Sequence, residues 1–342
     1  MKQLLTIPHR QRIGLCPVNG IRDLVCWRSG RDWSNEFLWG LGQGGGFAYL
    51  RFNSADPPRQ IYTGTATPRQ HKYLAGLFDA DFTEIENRAF NFSWNKAREA
   101  VDAGTPPVLG PLDMFFLPFY KGVYRKRHIP IHFVLLVGYE AEKAYVHDTG
   151  EKDVQTILLD ELRLAWDVNV PGLGKRNRLA IIDVPRELPP TAALIRKSIA
   201  DQCQTMLHPP VNMVGIPAMK KLAREIVRWP EELGEDTAAK CLRQAREYLN
   251  SPPDLEGDHL TAGRDLYITF LEEAAELAGL DFSEAIRWLQ ESIATISLLA
   301  EAIRRNDLEK AAGCFDRVAE VETAAYKALS KTVGVTDLSG TG

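Results

Sequence analysis

Residues 132–150 read His132-Phe-Val-Leu-Leu-Val-Gly-Tyr139, Glu140-Ala-Glu-Lys143 and Ala144-Tyr-Val-His-Asp-Thr-Gly150. Two runs rich in β-branched and aromatic residues flank a short polar turn, so the stretch predicts a β-hairpin. His132 opens its first strand and Asp148 closes its second. Alternation along the second strand turns His147 to the other face, away from Asp148.

A histidine and a carboxylate on neighbouring strands need a nucleophile to act on. The candidate is Cys16, in Ile13-Gly-Leu-Cys-Pro-Val-Asn-Gly20, just ahead of an apolar run over 21–27 that reads as the buried face of a helix. With Pro17 at the first helical position, the sulfur would sit over the positive end of the helix dipole, which favours the thiolate. Imidazole activating sulfur, with a carboxylate orienting imidazole, is the arrangement of nucleophilic acyl chemistry. Taken singly, Cys16 reads as well as a small buried apolar residue, His132 as a histidine at a strand start, and Asp148 as a turn residue. Their order and setting together favour the triad.

The chain of 342 residues is long enough for two domains, each with its own core. A hydrophobic content of 45%, a charged content of 25% and a net charge of −4 describe an ordinary globular protein and give no sign of a nucleic-acid surface. Five cysteines, Cys16, Cys26, Cys203, Cys241 and Cys314, are odd in number and scattered, with no CxxC pair to suggest zinc or a redox dithiol. Neither a signal-peptide pattern nor an apolar run of membrane-spanning length is present. The reading is a reduced, cytoplasmic protein with no membrane or nucleic-acid partner.

Up to about residue 184 the chain is rich in glycine, aromatics and short β-like runs at 47–52, 108–110, 132–139, 144–147 and 179–184. Helical patterns lie between them at 19–29, 93–103 and 159–165. This predicts a mixed domain over 1–185 with a mainly antiparallel sheet. Three prolines within 185–190 break the pattern. Beyond them it turns helical, over 191–206, 216–228, 236–248, 264–278, 283–304 and 308–331, with apolar residues recurring at three and four. The expectation is therefore an α+β chain with an all-α domain over 191–335, in which Ser283 caps one helix and 336–342 fray. Arg264, Asp265, Tyr267, Glu272 and Glu273, polar groups beside an apolar stripe, read as surface or interface.

Three further features bear on a site. The segment Trp39-Gly-Leu-Gly-Gln-Gly-Gly-Gly-Phe47 is glycine-dense, but it lacks a following Lys-Ser/Thr and a strand-then-helix setting, which argues against a nucleotide loop. It reads as a tight turn passing close to the active-site helix, or as a wall of an acyl-substrate channel formed by Gly42, Gly44, Gly45 and Phe47. Gln11, five residues before Cys16, is a candidate oxyanion donor. The run 121–128 holds Lys121, Arg125, Lys126, Arg127 and His128 and reads as a solvated loop or as a patch that steers an acidic partner. Cys26 falls on the far side of the helix from Cys16, which suits core packing better than a disulfide.

With these residues in hand, the chain resembles the butirosin biosynthesis protein H family. The likeness lies in the Cys16 region, in Phe37-Leu-Trp-Gly-Leu-Gly-Gln-Gly-Gly-Gly-Phe-Ala-Tyr49 and in the His132…Asp148 hairpin. The second half resembles the domain often fused behind it, through Val214-Gly-Ile-Pro-Ala-Met-Lys-Lys-Leu-Ala223 and Gly263-Arg-Asp-Leu-Tyr-Ile-Thr-Phe-Leu-Glu-Glu-Ala-Ala275. The family is similar in fold to papain-like cysteine peptidases that process double-glycine leaders. The resemblance implies a papain-like first domain that moves an aminoacyl group from an acyl carrier protein to a small amine. Cys16 would be the acyl-enzyme nucleophile, His132 the base and then acid, and Asp148 the orienter. It implies no cofactor beyond phosphopantetheine borne by the substrate, and a helical domain that shapes the pocket or pairs protomers. Two positions depart from the family pattern: Leu15 stands where a histidine is common, and Gln11 is one residue nearer the cysteine than expected. The alternatives are a peptidase or amidase with the same triad, and a catalytically silent papain-like binding module.

Overall fold

The computed structural model describes residues 2–250 and 260–334, so the expectation for 336–342 lies outside it. In chain order the first elements are β1 (Gln3–Leu4), α1 (Cys16–Ser29), α2 (Asn35–Leu41), β2 (Phe47–Arg51), β3 (Arg59–Thr63), α3 (Thr67–Leu77) and β4 (Asp81–Ile85). They are followed by α4 (Phe90–Asp102), β5 (Val108–Leu112), β6 (His132–Glu140), β7 (Lys143–His147), β8 (Gln155–Leu158), α5 (Leu159–Trp166) and β9 (Leu179–Asp183). Helices complete the chain: α6 (Thr191–Leu207), α7 (Gly215–Ile226), α8 (Trp229–Leu233), α9 (Glu235–Leu249), α10 (Arg264–Ala278), α11 (Ser283–Arg304) and α12 (Leu308–Val333).

Two compact units result, one of Met1–Leu38 with Ala66–Pro189 and one of Trp39–Thr65 with Pro190–Gly342. The α+β expectation matches this: the first unit is built on an antiparallel sheet and the second is helical. The boundary differs in one place from the expected domain of 1–185. The glycine-rich segment and the β2–β3 hairpin group with the helices: the glycines are buried among them, and the hairpin is tied to them by the Tyr49 N–H on the Met213 carbonyl at 3.0 Å and the Ile61 N–H on the Gln244 side-chain oxygen at 2.9 Å.

The first unit's sheet runs β4-β9-β5-β6-β7-β8, with β1 added alongside β6, and every pairing is antiparallel. The hairpin forms where the alternating runs predicted it, with Leu135 opposite His147 and Leu136 opposite Val146. Its core joins Val134, Leu136, Leu109 and Leu179 of the strands to Trp94, Ala97 and Val101 of α4 and Leu162 and Trp166 of α5. Leu109, Leu136, Ala97 and Trp166 are fully shielded. Each such side chain contributes on the order of 1.5–3 kcal/mol when buried.

In the second unit α11 and α12 pack as a long antiparallel pair, and α6, α7, α9 and α10 close around them. The expected Ser283 cap is replaced: Ser283 is the first residue of α11, and its N–H donates to the Asp281 carboxylate at 2.9 Å. An ionised acceptor at a helix start does the work assigned to the serine hydroxyl, and the helix dipole favours it. Arg264 and Tyr267, expected at the surface or an interface, are buried. Among the described residues no helix is long and apolar enough to cross a membrane.

Candidate active site

Helix α1 begins at Cys16 itself, three residues earlier than periodicity indicated. Pro17 lies in its first turn, where a missing N–H costs nothing and a fixed φ favours the helix. The side chain of Leu15 makes no capping bond, Pro17 has no N–H, and the Val18 N–H donates to the Leu15 carbonyl at 3.2 Å, so the Cys16 N–H is the first-turn donor left to other acceptors. Two contacts fix this end. His71 of α3 donates from Nε2 to the Pro17 carbonyl at 2.7 Å. Complete burial, with the charge of Arg178 added, pushes His71 down to about 3, so the ring is a neutral donor. Further along, Gly20 lets the helix lie directly on β6. A Cβ there would come within 3.0 Å of the Leu135 Cβ.

His132 opens β6 and Asp148 follows β7, so the hairpin register alone brings them together. Nε2 of His132 lies 2.6 Å from Asp148 Oδ2, and both side chains are almost wholly shielded from solvent. The other carboxylate oxygen, Oδ1, accepts from the Tyr120 hydroxyl at 2.7 Å and from the Gly150 N–H at 2.8 Å. Tyr120 also stands 3.2 Å from His132 Nε2. An ionised carboxylate only accepts, so Nε2 carries the proton it donates, and Nδ1 is the nitrogen left for the sulfur. Cys16 is half-buried and close enough to the ring to help raise it.

Burial works against a charged His132, but the adjacent Asp148 carboxylate and Cys16 overcome it and the imidazole is pushed up to about 10. Burial likewise opposes ionisation of Asp148. The His132 charge and the bonds from His132, Tyr120 and Gly150 hold its carboxyl below the ordinary carboxylate value. The pair is thus a protonated ring against an ionised carboxylate, beside a thiol. A protonated imidazole in that position favours the thiolate form of a sulfur.

The other expected site residues fall elsewhere. Gln11 is exposed, and its Nε2 donates to the Gly150 carbonyl at 2.5 Å. That bond braces the turn after Asp148. Gly42, Gly44, Gly45 and Phe47 are all buried within the second unit. A Cβ on Gly44 would collide with the Trp39 ring, and the Gly45 carbonyl accepts from Tyr326 at 2.8 Å. The Gly46 carbonyl accepts from Arg264 at 3.3 Å. These positions are packed in the interior of the second unit, as the reading of a tight turn expects. In the basic run, Arg125 pairs with Glu161 at 3.0 Å and His128 with Asp113 at 2.6 Å. Cys26 is unbridged.

Two groups escape the sequence reading. Tyr120 lies in an irregular segment with no periodicity to place it. His9, Asp23 and His147 form a second cluster, with ligand atoms all within 4.8 Å of one another. They are also the candidates for holding a metal among the described residues. Asp23 Oδ2 lies 2.6 Å from His9 Nδ1 and 2.9 Å from His147 Nδ1. Ligands at about 2.0–2.1 Å on a tetrahedral ion stand roughly 3.3 Å apart, so the shorter contact is that of a hydrogen bond. Arg22 also donates to Asp23, at 3.2 Å, which already supplies the carboxylate with a cation.

The geometry agrees with what the chain matches. Residues 15–149 match the family model of the butirosin biosynthesis protein H N-terminal domain, and residues 160–329 match a domain of unknown function (DUF4872). A solved structure from Bacillus anthracis, described as a C39-like peptidase, is similar at 15% identity with a TM-score of 0.35. The match covers 54% of this chain and 98% of that one. No curated protein matches the chain significantly.

Proposed function

The chain belongs, through residues 15–149, to the butirosin biosynthesis protein H-like family and carries a DUF4872 domain behind it, and on that premise we propose that it is a papain-like cysteine acyltransferase. The observation that carries the reading is the buried His132–Asp148 pair, Nε2 to Oδ2 at 2.6 Å, with Cys16 near enough to help raise the same imidazole.

The donor is a thioester on an acyl carrier protein, and the acceptor is a small amine of a secondary-metabolite pathway. Cys16 sulfur attacks the thioester carbonyl. The oxyanion formed is met by the Cys16 N–H at the start of α1. As the C–S bond to the carrier breaks, the protonated His132 gives its proton to the departing thiolate, leaving acyl-Cys16 and a neutral ring. The amine then attacks the acyl carbonyl, His132 takes the amine's proton, and Cys16 sulfur is expelled as the amide forms. Asp148 holds the ring in the tautomer that both steps require. No metal or organic cofactor enters these steps, and phosphopantetheine would arrive on the donor. Scattered cysteines without a CxxC pair support a reducing, cytoplasmic setting.

Intact-mass spectrometry after incubation with a panel of acylated carrier proteins tests the proposal. The expected result is an acyl adduct on the wild-type chain that is absent from Cys16→Ala and is discharged by amines. Discharge by water alone, at the same rate with and without amine, makes the protein a thioesterase or amidase. If Cys16→Ala retains both adduct and activity, catalysis through Cys16 is wrong.

A further inference from the structure

The segment ahead of α1 is bound to the turn that carries Asp148. The Arg12 N–H donates to the Thr149 carbonyl at 2.8 Å, the Thr149 hydroxyl donates back to the Arg12 carbonyl, and Gln11 reaches Gly150. His9 makes the innermost link. Its Nε2 faces the Asp148 carbonyl at 3.0 Å and the Glu151 carbonyl at 2.9 Å, while Nδ1 faces Asp23 Oδ2 at 2.6 Å. The side chain is only 6% exposed.

Proton counting decides the state of this ring. Carbonyl oxygens only accept, so Nε2 carries hydrogen. At 2.6 Å a bare Nδ1 lone pair would stand against a carboxylate oxygen, so a proton lies there too. His9 is then an imidazolium, and Asp23 its counter-ion. The groups facing the pair from every side are Arg22 on α1, Asp32 beyond it, which accepts from Arg22, and His147 on β7. His147 donates from Nδ1 to the same Asp23 oxygen, and its ring lies 4.3 Å from that of His9. His9 and Arg22 thus stand against Asp23, and Arg22 shares Asp32 with Arg10, which pairs with it at 2.9 Å.

The cluster sits where it controls the proposed triad. Asp23 lies seven positions after Cys16 on α1, close to two turns of 3.6 residues, so both lie on one face of the helix. One face therefore meets the hairpin twice: Cys16 meets His132, and Asp23 meets His147 and His9. Through its Nε2, His9 also holds the main chain of the residue whose carboxylate orients His132.

We infer that His9, Asp23 and His147 are positioning residues, a charged network that holds the Asp148 turn at a fixed distance from the cysteine helix. The inference rests on the triad reading, and it assigns the network no contact with substrate. Displacements of about 1 Å at a reacting centre cost up to roughly a hundredfold in rate, so a loosened turn is felt at Cys16 even when the chain folds.

The test reads Cys16 itself, without a substrate. Iodoacetamide alkylation at Cys16 is followed by peptide mapping across acid to mildly alkaline pH, for wild type, His9→Gln, His9→Ala, His147→Gln and Asp23→Asn, each with a melting curve. His9→Gln keeps a donor for the carbonyls and removes the charge, so it should fold even if Asp23→Asn does not. The expected result is a Cys16 rate roughly tenfold lower in both His9 variants, with the pH profile of alkylation altered. Wild-type rate and profile in folded His9 variants overturn the inference while leaving the triad intact. A lowered melting temperature with an unchanged profile overturns it too, because the role is then structural only. A wild-type Cys16 no more reactive than the half-buried Cys26 and Cys314 overturns both the triad and the network's part in it. One zinc retained by wild type and lost in His9→Ala, by native mass spectrometry, replaces the proton network with a metal site.

Discussion

Both units bury charge, and they do so with different chemistry. In the second unit Arg264 forks onto Glu322, Nε to Oε1 at 2.7 Å and the terminal nitrogen to Oε2 at 2.8 Å. Ser292 adds a third donor at 2.8 Å, and the spare guanidinium hydrogens go to the carbonyls of Ala262 and Gly46. In the first unit the buried carboxylates each accept from imidazole, Asp148 from His132 and Asp23 from His9 and His147. A guanidinium fixes geometry and keeps its proton at any pH of interest. An imidazole fixes geometry and can also give its proton away. The first network is suited to chemistry and the second to holding a fold, although both obey the rule that buried charge is paired and fully hydrogen-bonded.

The largest effect that would sharpen this contrast is expected from Asp148→Asn. The amide offers Nε2 of His132 a donor or a weaker acceptor in place of a charge, and it no longer fixes the tautomer. Loss of a triad carboxylate's charge costs about 10⁴-fold in turnover, equivalent to about 5.5 kcal/mol of barrier. Melting should change far less. If acyl transfer in folded Asp148→Asn stays within tenfold of wild type, the imidazole network of the first unit has no chemical role.

Glu322→Gln should reverse that pattern. It leaves Arg264 charged, buried and without its counter-ion, a loss of about 3–5 kcal/mol in stability, while per-molecule alkylation of Cys16 in the folded fraction stays unchanged. Alkali should separate the units as well. The raised His132 and His9 stabilise fully below the ordinary histidine value, and their contribution is lost as pH rises through the folded values, about 10 for His132. Asp23 and Asp148, held below the ordinary carboxylate value, stabilise above it and lose that contribution as pH falls through their lowered values. Arg264 is raised, despite burial, by Glu322 and keeps its charge, and the second unit's own alkaline loss, from buried Cys203 and Tyr248, both raised to about 12, sets in only above the ordinary thiol and tyrosine values. Hydrogen exchange resolved by segment should show protection of β6 and β7 falling in mild alkali before that of α10 and α12. The opposite order would break the comparison.

How far the sequence disclosed this contrast depends on distance along the chain. The hairpin, Cys16 at a helix start and the long helices were legible because each is a local pattern of period 2 or 3.6. β4, Asp81–Ile85, was not: it is largely exposed, so no apolar alternation marks it. Arg264 looked like a surface residue because a charged side chain usually is one, and its partner Glu322 lies 58 positions away. The His9–Asp23 contact is also non-local, 14 positions apart and made from an irregular segment. Tyr120 reaches Asp148 across 28 positions. Periodicity locates elements, and it is silent on which polar groups those elements leave to be paired.

Tyr120→Phe tests a smaller part of the first network. It removes one hydrogen bond to an ionised acceptor, a contribution of about 1.5–3 kcal/mol, while Asp148 keeps His132 and the Gly150 N–H. Cys16 alkylation should slow by about tenfold, with its acid limb moved upward because Asp148 becomes easier to protonate.

The smallest effect belongs to Gln11→Ala. If the glutamine supplied the oxyanion hole, its removal would cost about 10²–10³-fold in turnover. Its amide instead donates to the Gly150 carbonyl from an exposed position, where such a bond is worth at most about 0.5 kcal/mol. Acyl transfer within about threefold of wild type is therefore expected, with alkylation of Cys16 unchanged. A loss of a hundredfold in acyl transfer, with alkylation still unchanged, would return Gln11 to the oxyanion hole. It would also mean that the turn after Asp148 carries chemistry as well as support.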